Sequence, residues 1–151
     1  EHRSTAKLII VGDGNQKNVL EEKTNKEGIG EQVKFLGRKK DVLPILDEAN
    51  IFVYPSIWEE GFGISVIEAM ARGCIPITFR KGGLSEIIEN NKNGILVDEV
   101  SSDSLAKAIL KVISMSDEQK KLLMEETIKR AKDFSLNNTI NNIENSLKSI
   151  L

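Results

Sequence analysis

Short apolar runs alternate along the chain with longer stretches of helical period, and the alternation predicts most of its elements. Residues 7–11 form an apolar strand that breaks at Gly12-Asp13-Gly14, and 16–27 carries helix formers up to a stop at Gly28. A second strand is expected at 33–36. Asp41 is placed to cap a short helix reaching residue 49, whose regular start Pro44 confines. Residues 51–54 read as a fully buried strand ended by Pro55, and 64–72 as a helix apolar on nearly every side. A strand at 75–79, a Gly82-Gly83 turn, a helix at 84–90 and a last strand at 95–97 complete the rhythm. Strands separated by single helices imply parallel pairing with right-handed crossovers, so the expected class is α/β with a doubly wound parallel sheet.

The tail departs from this rhythm. Three successive helices are expected at 102–114, 117–133 and 136–151, with Asp103, Asp117 and Ser135 as starts or caps. Leu105, Ile109, Val112 and Ile113 share the face that packs the first of them on the sheet. The last carries Leu136, Ile140, Ile143, Leu147, Ile150 and Leu151, an apolar stripe that needs a partner surface.

Composition narrows the function classes. A length of 151 residues is one domain's worth, and 40% hydrophobic content supports an ordinary core. Charged residues make up 29% with a net of -2, so no basic footprint for nucleic acid exists. Cys74 is the single cysteine, which excludes an internal disulfide and a cysteine-rich metal site and fits a reducing interior. Between Gly73 and Ile75 it reads as a small core residue. His2, near the terminus, supports neither a catalytic dyad nor a metal cluster. No run of about 18 apolar residues and no signal-like start occurs. Because the chain does not begin with methionine and enters a strand almost at once, a longer parent protein is expected.

Ligands of an open parallel sheet bind outside the carboxyl ends of its strands. The loops at 12–14, 36–38, 55–63 and 80–83 therefore share one rim. Glu60 falls in the third of these loops. Glu68 falls about one and a half turns into the following helix, on the stripe of Ile64 and Ala71, so its charge is expected to face packed structure unless a polar partner meets it. The vicinal hydroxyls of a ribose would serve as that partner. The amides of Gly63, Ile64 and Ser65 at the helix N-terminus attract phosphate, and Gly61 and Gly63 let a ligand approach the backbone. Acceptors at both ends and donors between them match the charge layout of a nucleotide-sugar. The plainer alternative is a solvated Glu60 and a Glu68 paired with Arg72, four residues on. The remaining signals are weaker singly. Gly12-Asp13-Gly14 lacks the third glycine of a dinucleotide fingerprint, since Lys17 stands there, and Gly82-Gly83 alone is a turn. Glu86 suits a helix start. Arg38, Lys39, Lys40 and Lys81 are either a phosphate's counter-charges or a solvated face.

Taken in order, Gly12-Asp13-Gly14, Phe35-Leu36-Gly37, Tyr54-Pro55-Ser56, Glu60-Gly61-Phe62-Gly63, Glu68-Ala69-Met70-Ala71 and Gly82-Gly83-Leu84-Ser85-Glu86-Ile87 resemble the family-4 retaining glycosyltransferases of the GT-B fold. The resemblance runs over residues 7–112. It implies the Rossmann-like carboxy-terminal half of such an enzyme, a nucleotide-sugar donor domain spanning 1–151. It also implies roles. Glu60 would be the catalytic acid contacting the donor sugar with Gly61, Phe62 and Gly63, Glu68 would hold the ribose hydroxyls, and Ile64 and Ser65 would hold the diphosphate through their amides. Leu36 would offer its backbone to the base, with Gly12 and Gly14 also on the donor side. The reaction would be sugar transfer from a UDP-sugar or GDP-sugar with retention, to a glycan or glycolipid acceptor in polysaccharide biosynthesis, without metal or cofactor.

The departures from the family pattern set further expectations. The acceptor domain that precedes this one in the family is absent, and so is the strand–helix unit whose arginine and lysine clamp the diphosphate. That strand would lie between 7–11 and 51–54. With the acceptor site and the main cationic clamp both missing, the isolated chain is expected to be inactive. The stripe on the last helix would meet the missing amino-terminal acceptor domain or serve self-association. The resemblance implies a cytoplasmic location, peripheral to the inner membrane face through the parent protein. Alternatives are a GT-B-like sugar-nucleotide epimerase or a non-catalytic nucleotide-binding module. A receiver-type regulator needs an aspartate after the third strand, and Tyr54-Pro55-Ser56 argues against it.

Overall fold

A computed structural model describes residues 6–59 and 61–148. Glu60, His2, Ile150 and Leu151 lie outside the described residues. The element order is β1 (Leu8–Ile10), α1 (Lys17–Lys26), a 3-10 turn (Gly30–Gln32), β2 (Val33–Phe35), α2 (Leu43–Asp47), β3 (Ile51–Tyr54), α3 (Ile64–Ala71), β4 (Ile75–Phe79), α4 (Leu84–Ile87), β5 (Ile95–Val97), α5 (Ser102–Ile113), α6 (Asp117–Asp133) and α7 (Leu136–Lys148). The class is α/β, and all strand pairs are parallel. The strands form two sheets rather than one continuous sheet: β1 finds its partner in β2, while β3, β4 and β5 follow one another in a second ladder. The described residues correspondingly divide into two compact units, one up to Val42 and the other from Leu43.

In the first unit, Leu8 aligns with Val33 and Ile10 with Phe35. In the second, β4 lies between β3 and β5, aligning Ile51 with Ile75 and Phe79 with Val97. All five residues of β4 are buried, as expected for a central parallel strand covered on both faces. One face holds Ile75, Ile77, Phe79, Ile95 and Val97 against Ala108 and Val112 of α5, with Leu105 and Ile109 beside them, on the stripe expected from the spacing. The other holds Leu96 against Val66 and Met70 of α3, Leu84 and Ile87 of α4, and Ala131 of α6. Each of these side chains other than the alanines contributes roughly 1.5–3 kcal/mol by leaving water.

Several boundaries differ from expectation for identifiable reasons. The caps of α5 and α6 are Ser101 and Ser116, whose hydroxyls accept from the Ser104 and Gln119 amides; Asp117 is the first residue of α6, as expected of a start, while Asp103 stands second in α5. The helix expected at 84–90 stops at Ile87. Ile88 is extended, and the Asn93 and Asn90 side chains take the amides of Glu89 and Leu96. Cys74 is the expected core residue, fully buried with its thiol donating to the Leu46 carbonyl at 3.2 Å. The stripe of α7 is exposed, with Leu136 at 74% and Leu147 at 57%.

Candidate functional site

In the second unit, the loops after β3, β4 and β5 share the carboxyl rim of one parallel ladder. Lys81 after β4 reaches Glu59 after β3 at 3.6 Å, and Arg80 meets Asp98 after β5 at 2.5 Å. The 55–63 loop is thereby tied to its neighbour by charge. Trp58 in it is largely open to solvent and Phe62 is half exposed.

The loop ends at Gly63, the N-cap of α3, which is buried and has φ 65°. That left-handed conformation disfavours any side chain, and a Cβ there would stand 2.6 Å from Cδ2 of the fully buried Leu84. The Gly63 carbonyl accepts from the Val66 amide at 2.9 Å, so the amides of Ile64 and Ser65 precede the first helical hydrogen bonds. No side chain caps this helix, whereas α5 and α6 both carry a serine cap. A glycine cap leaves these donors, and the positive end of the helix dipole, to a ligand anion.

Glu68 corrects one expectation. The buried face of α3 is Val66, Ala69 and Met70, and the stripe of Ile64, Glu68 and Ala71 is exposed. The run is apolar enough that periodicity did not select the inward face, so Glu68 carries no burial strain. The pairing in the plainer alternative is not formed either, because Arg72 pairs with Asp47 of α2; its Glu60 lies outside the described residues. Glu68 borders an open groove of about 440 Å³, with Phe62 and Ile64 on its own side and Ile128, Lys132 and Phe134 opposite. Four residues of helix separate Ile64 from Glu68, a rise of about 6 Å. A carboxylate at that distance from the helix-end donors can accept from two hydroxyls of one ligand while the amides hold its anion.

The first unit brings Gly12 and Leu36 together by itself. The Gly12 amide donates to the Gly37 carbonyl at 2.9 Å, and the Leu36 amide to the Ile10 carbonyl at 2.9 Å. Gly12 has φ 144°, and the Gly14 carbonyl accepts from the Lys17 amide at 3.1 Å as α1 begins. Thus Gly61, Phe62, Gly63, Ile64, Ser65 and Glu68 are neighbours in the second unit, and Gly12, Gly14 and Leu36 are placed at the strand ends of the first. Sequence reasoning missed the α6 wall of the groove and the Lys81–Glu59 pair. Neither leaves a local motif, since both arise from residues far apart in the chain. No helix among the described residues is long and apolar enough to cross a membrane, and no cluster of metal-ligating side chains occurs among them.

Residues 1–133 match the model of the group 1 glycosyl transferases. An uncharacterised glycosyltransferase of Methanocaldococcus jannaschii is 37% identical over 114 residues, which is 74% of this chain and 29% of the relative. The structure of the Anabaena protein HepE in complex with UDP superposes with a TM-score of 0.84 at 25% identity, covering 95% of this chain and 41% of HepE. Its complex with UDP-glucose gives 0.81 at 26%, with the same coverage. The chain thus spans well under half of these relatives. The GT-B-like architecture and the match over most of its length agree, and the chain belongs to the group 1 glycosyl transferase family.

Proposed function

We propose that this chain is the donor-binding half of a retaining, family-4 glycosyltransferase that uses a UDP-sugar or GDP-sugar. The observation that carries the reading is the uncapped start of α3 with Glu68 exposed one turn on, on the rim where parallel sheets bind ligands. The complexes of HepE with UDP and with UDP-glucose support a uridine donor. In this reading Ile64 and Ser65 hold the diphosphate, Glu68 the ribose and Leu36 the base, with Gly12 and Gly14 alongside. Glu60 and the backbone of Gly61, Phe62 and Gly63 meet the sugar. The bond from the anomeric carbon to the diphosphate oxygen breaks, and one to the acceptor oxygen forms on the same face. The acceptor's proton passes to the departing diphosphate. Fixed donors at the leaving group are the largest contribution such a site makes, and no metal is required.

The parent protein then supplies an acceptor domain, glycan or glycolipid acceptors, and a location in the cytoplasm at the inner membrane face. It also supplies the strand–helix unit that the family pattern puts between β1 and β3, so the isolated chain binds donor without turning it over. Calorimetric titration with UDP, GDP, ADP and their glucose or mannose conjugates tests the reading. Selective binding weakened about tenfold or more by Glu68→Ala is expected. Binding indifferent to Glu68→Ala would overturn the ribose role, and an epimer of the sugar as the parent's product would favour the epimerase.

A further inference from the structure

The end of α6 holds an arrangement that donor binding alone leaves unused. Arg130 Nε donates to the Ile87 carbonyl at 3.1 Å and Nη2 to the Glu86 carbonyl at 2.5 Å, taking the last carbonyls of α4. Its Nη1 lies 2.9 Å from Asp133 Oδ2. The guanidinium so fixed lies 4.8 Å from the centre of the Phe134 ring. Phe134 closes α6, its amide donating to the Ala131 carbonyl at 3.1 Å. Its ring meets Phe62 edge to face, with centres 5.9 Å apart and planes at 76°.

Phe62 is flanked by two glycines, so its ring is the one side-chain handle on that segment. It is half exposed, and burial alone does not fix it. Cation–π and edge-to-face contacts are directional, and only a planar guanidinium can span two carbonyls and a carboxylate while facing a ring. We propose that Arg130 and Phe134 are positioning residues that hold Phe62 and, through it, orient the Gly61-Phe62-Gly63 backbone for the donor. The inference rests on the donor reading of that segment.

Labelling the five phenylalanines with 4-fluorophenylalanine, and assigning Phe62 by Phe62→Leu, gives a fluorine resonance that reports its surroundings. Arg130 does not touch Phe62 in this chain of contacts, so a change seen in Arg130→Lys must be transmitted. Arg130→Lys and Phe134→Leu should both move the Phe62 resonance toward that of a solvent-exposed ring and lower UDP-glucose affinity about two- to tenfold. Phe134→Tyr should restore both. A Phe62 resonance unmoved in folded Arg130→Lys overturns the positioning role, whether or not the chain binds donor. A resonance that moves while affinity stays constant overturns its bearing on the donor. Failure of the unmutated chain to bind UDP-glucose counts against the donor reading, and the resonance still decides whether Phe62 is held. Should Arg130→Lys unfold, Phe134→Leu and Phe134→Tyr carry the same comparison.

Discussion

Gly63→Ala tests whether the start of α3 is built as described. Two costs follow from the structure: an alanine held at φ 65° loses about 1–2 kcal/mol relative to glycine. The added methyl would also stand 2.6 Å from Cδ2 of Leu84, which is fully buried against Val66, Met70 and Ile87 and has little room to turn away. Displacing a packed core side chain costs about 1–3 kcal/mol, so the total is about 2–5 kcal/mol. For a chain of this size that lowers Tm on the order of 5–15 °C. Urea titration followed by far-UV circular dichroism measures it. The two costs are separable by a double-mutant cycle, because Leu84→Ala removes the clash and leaves the backbone cost. Leu84→Ala alone should cost about 2–5 kcal/mol, and adding Gly63→Ala to it should cost about 1–2 kcal/mol more. A loss below about 0.5 kcal/mol for Gly63→Ala, or strict additivity in the cycle, would refute the reasoning.

Thr127 is fully buried, and its hydroxyl faces the Asn93 and Leu123 carbonyls at 2.9 and 2.8 Å. Thr127→Val keeps the shape but strands an acceptor, and should cost about 1–3 kcal/mol in the same urea titration. Burial, reinforced by Asp47, holds the Cys74 thiol above its ordinary value of 9.0. The native thiol stays protonated while the unfolded one ionises, so stability should fall as pH rises through the unfolded value, and Cys74→Ser should flatten that slope. Amide hydrogen exchange followed by NMR should find β4 the slowest strand and β1 and β2 the fastest; equal protection would contradict the burial pattern.

The strand positions were legible because each parallel strand is a short apolar run bounded by a breaker, and 51–54, 75–79 and 95–97 match the observed strands. Caps were legible only to within two residues: Ser101 and Ser116 precede the aspartates that the pattern favours, and either residue type suits the position. The inward face of α3 was not legible, since Ile64, Val66, Ile67, Ala69 and Met70 surround the helix. Only the neighbouring α4, β5 and α6 decide that Val66 and Met70 turn in and Glu68 turns out. The same holds for Arg130 and Phe134: the carbonyls that fix the guanidinium lie more than 40 residues from Arg130, and the ring that Phe134 meets lies in another loop.

The two units differ in how well the chain can hold them. No described residue up to Val42 is buried, and β1 and β2 contribute three residues each to a two-stranded parallel ladder, which is marginal on its own. From Leu43 on, β4 and its neighbours are packed on both faces. On the proposed reading, Gly12 and Leu36 contribute to donor binding from the weaker unit, and any ordering they undergo with the nucleotide subtracts from its affinity. A parent protein that seats β1 against a further strand removes that cost before the donor arrives. It would bind the same nucleotide more tightly than this chain does through residues that never touch it, which is why weak binding by the chain, provided it depends on Glu68, supports the assignment rather than opposing it.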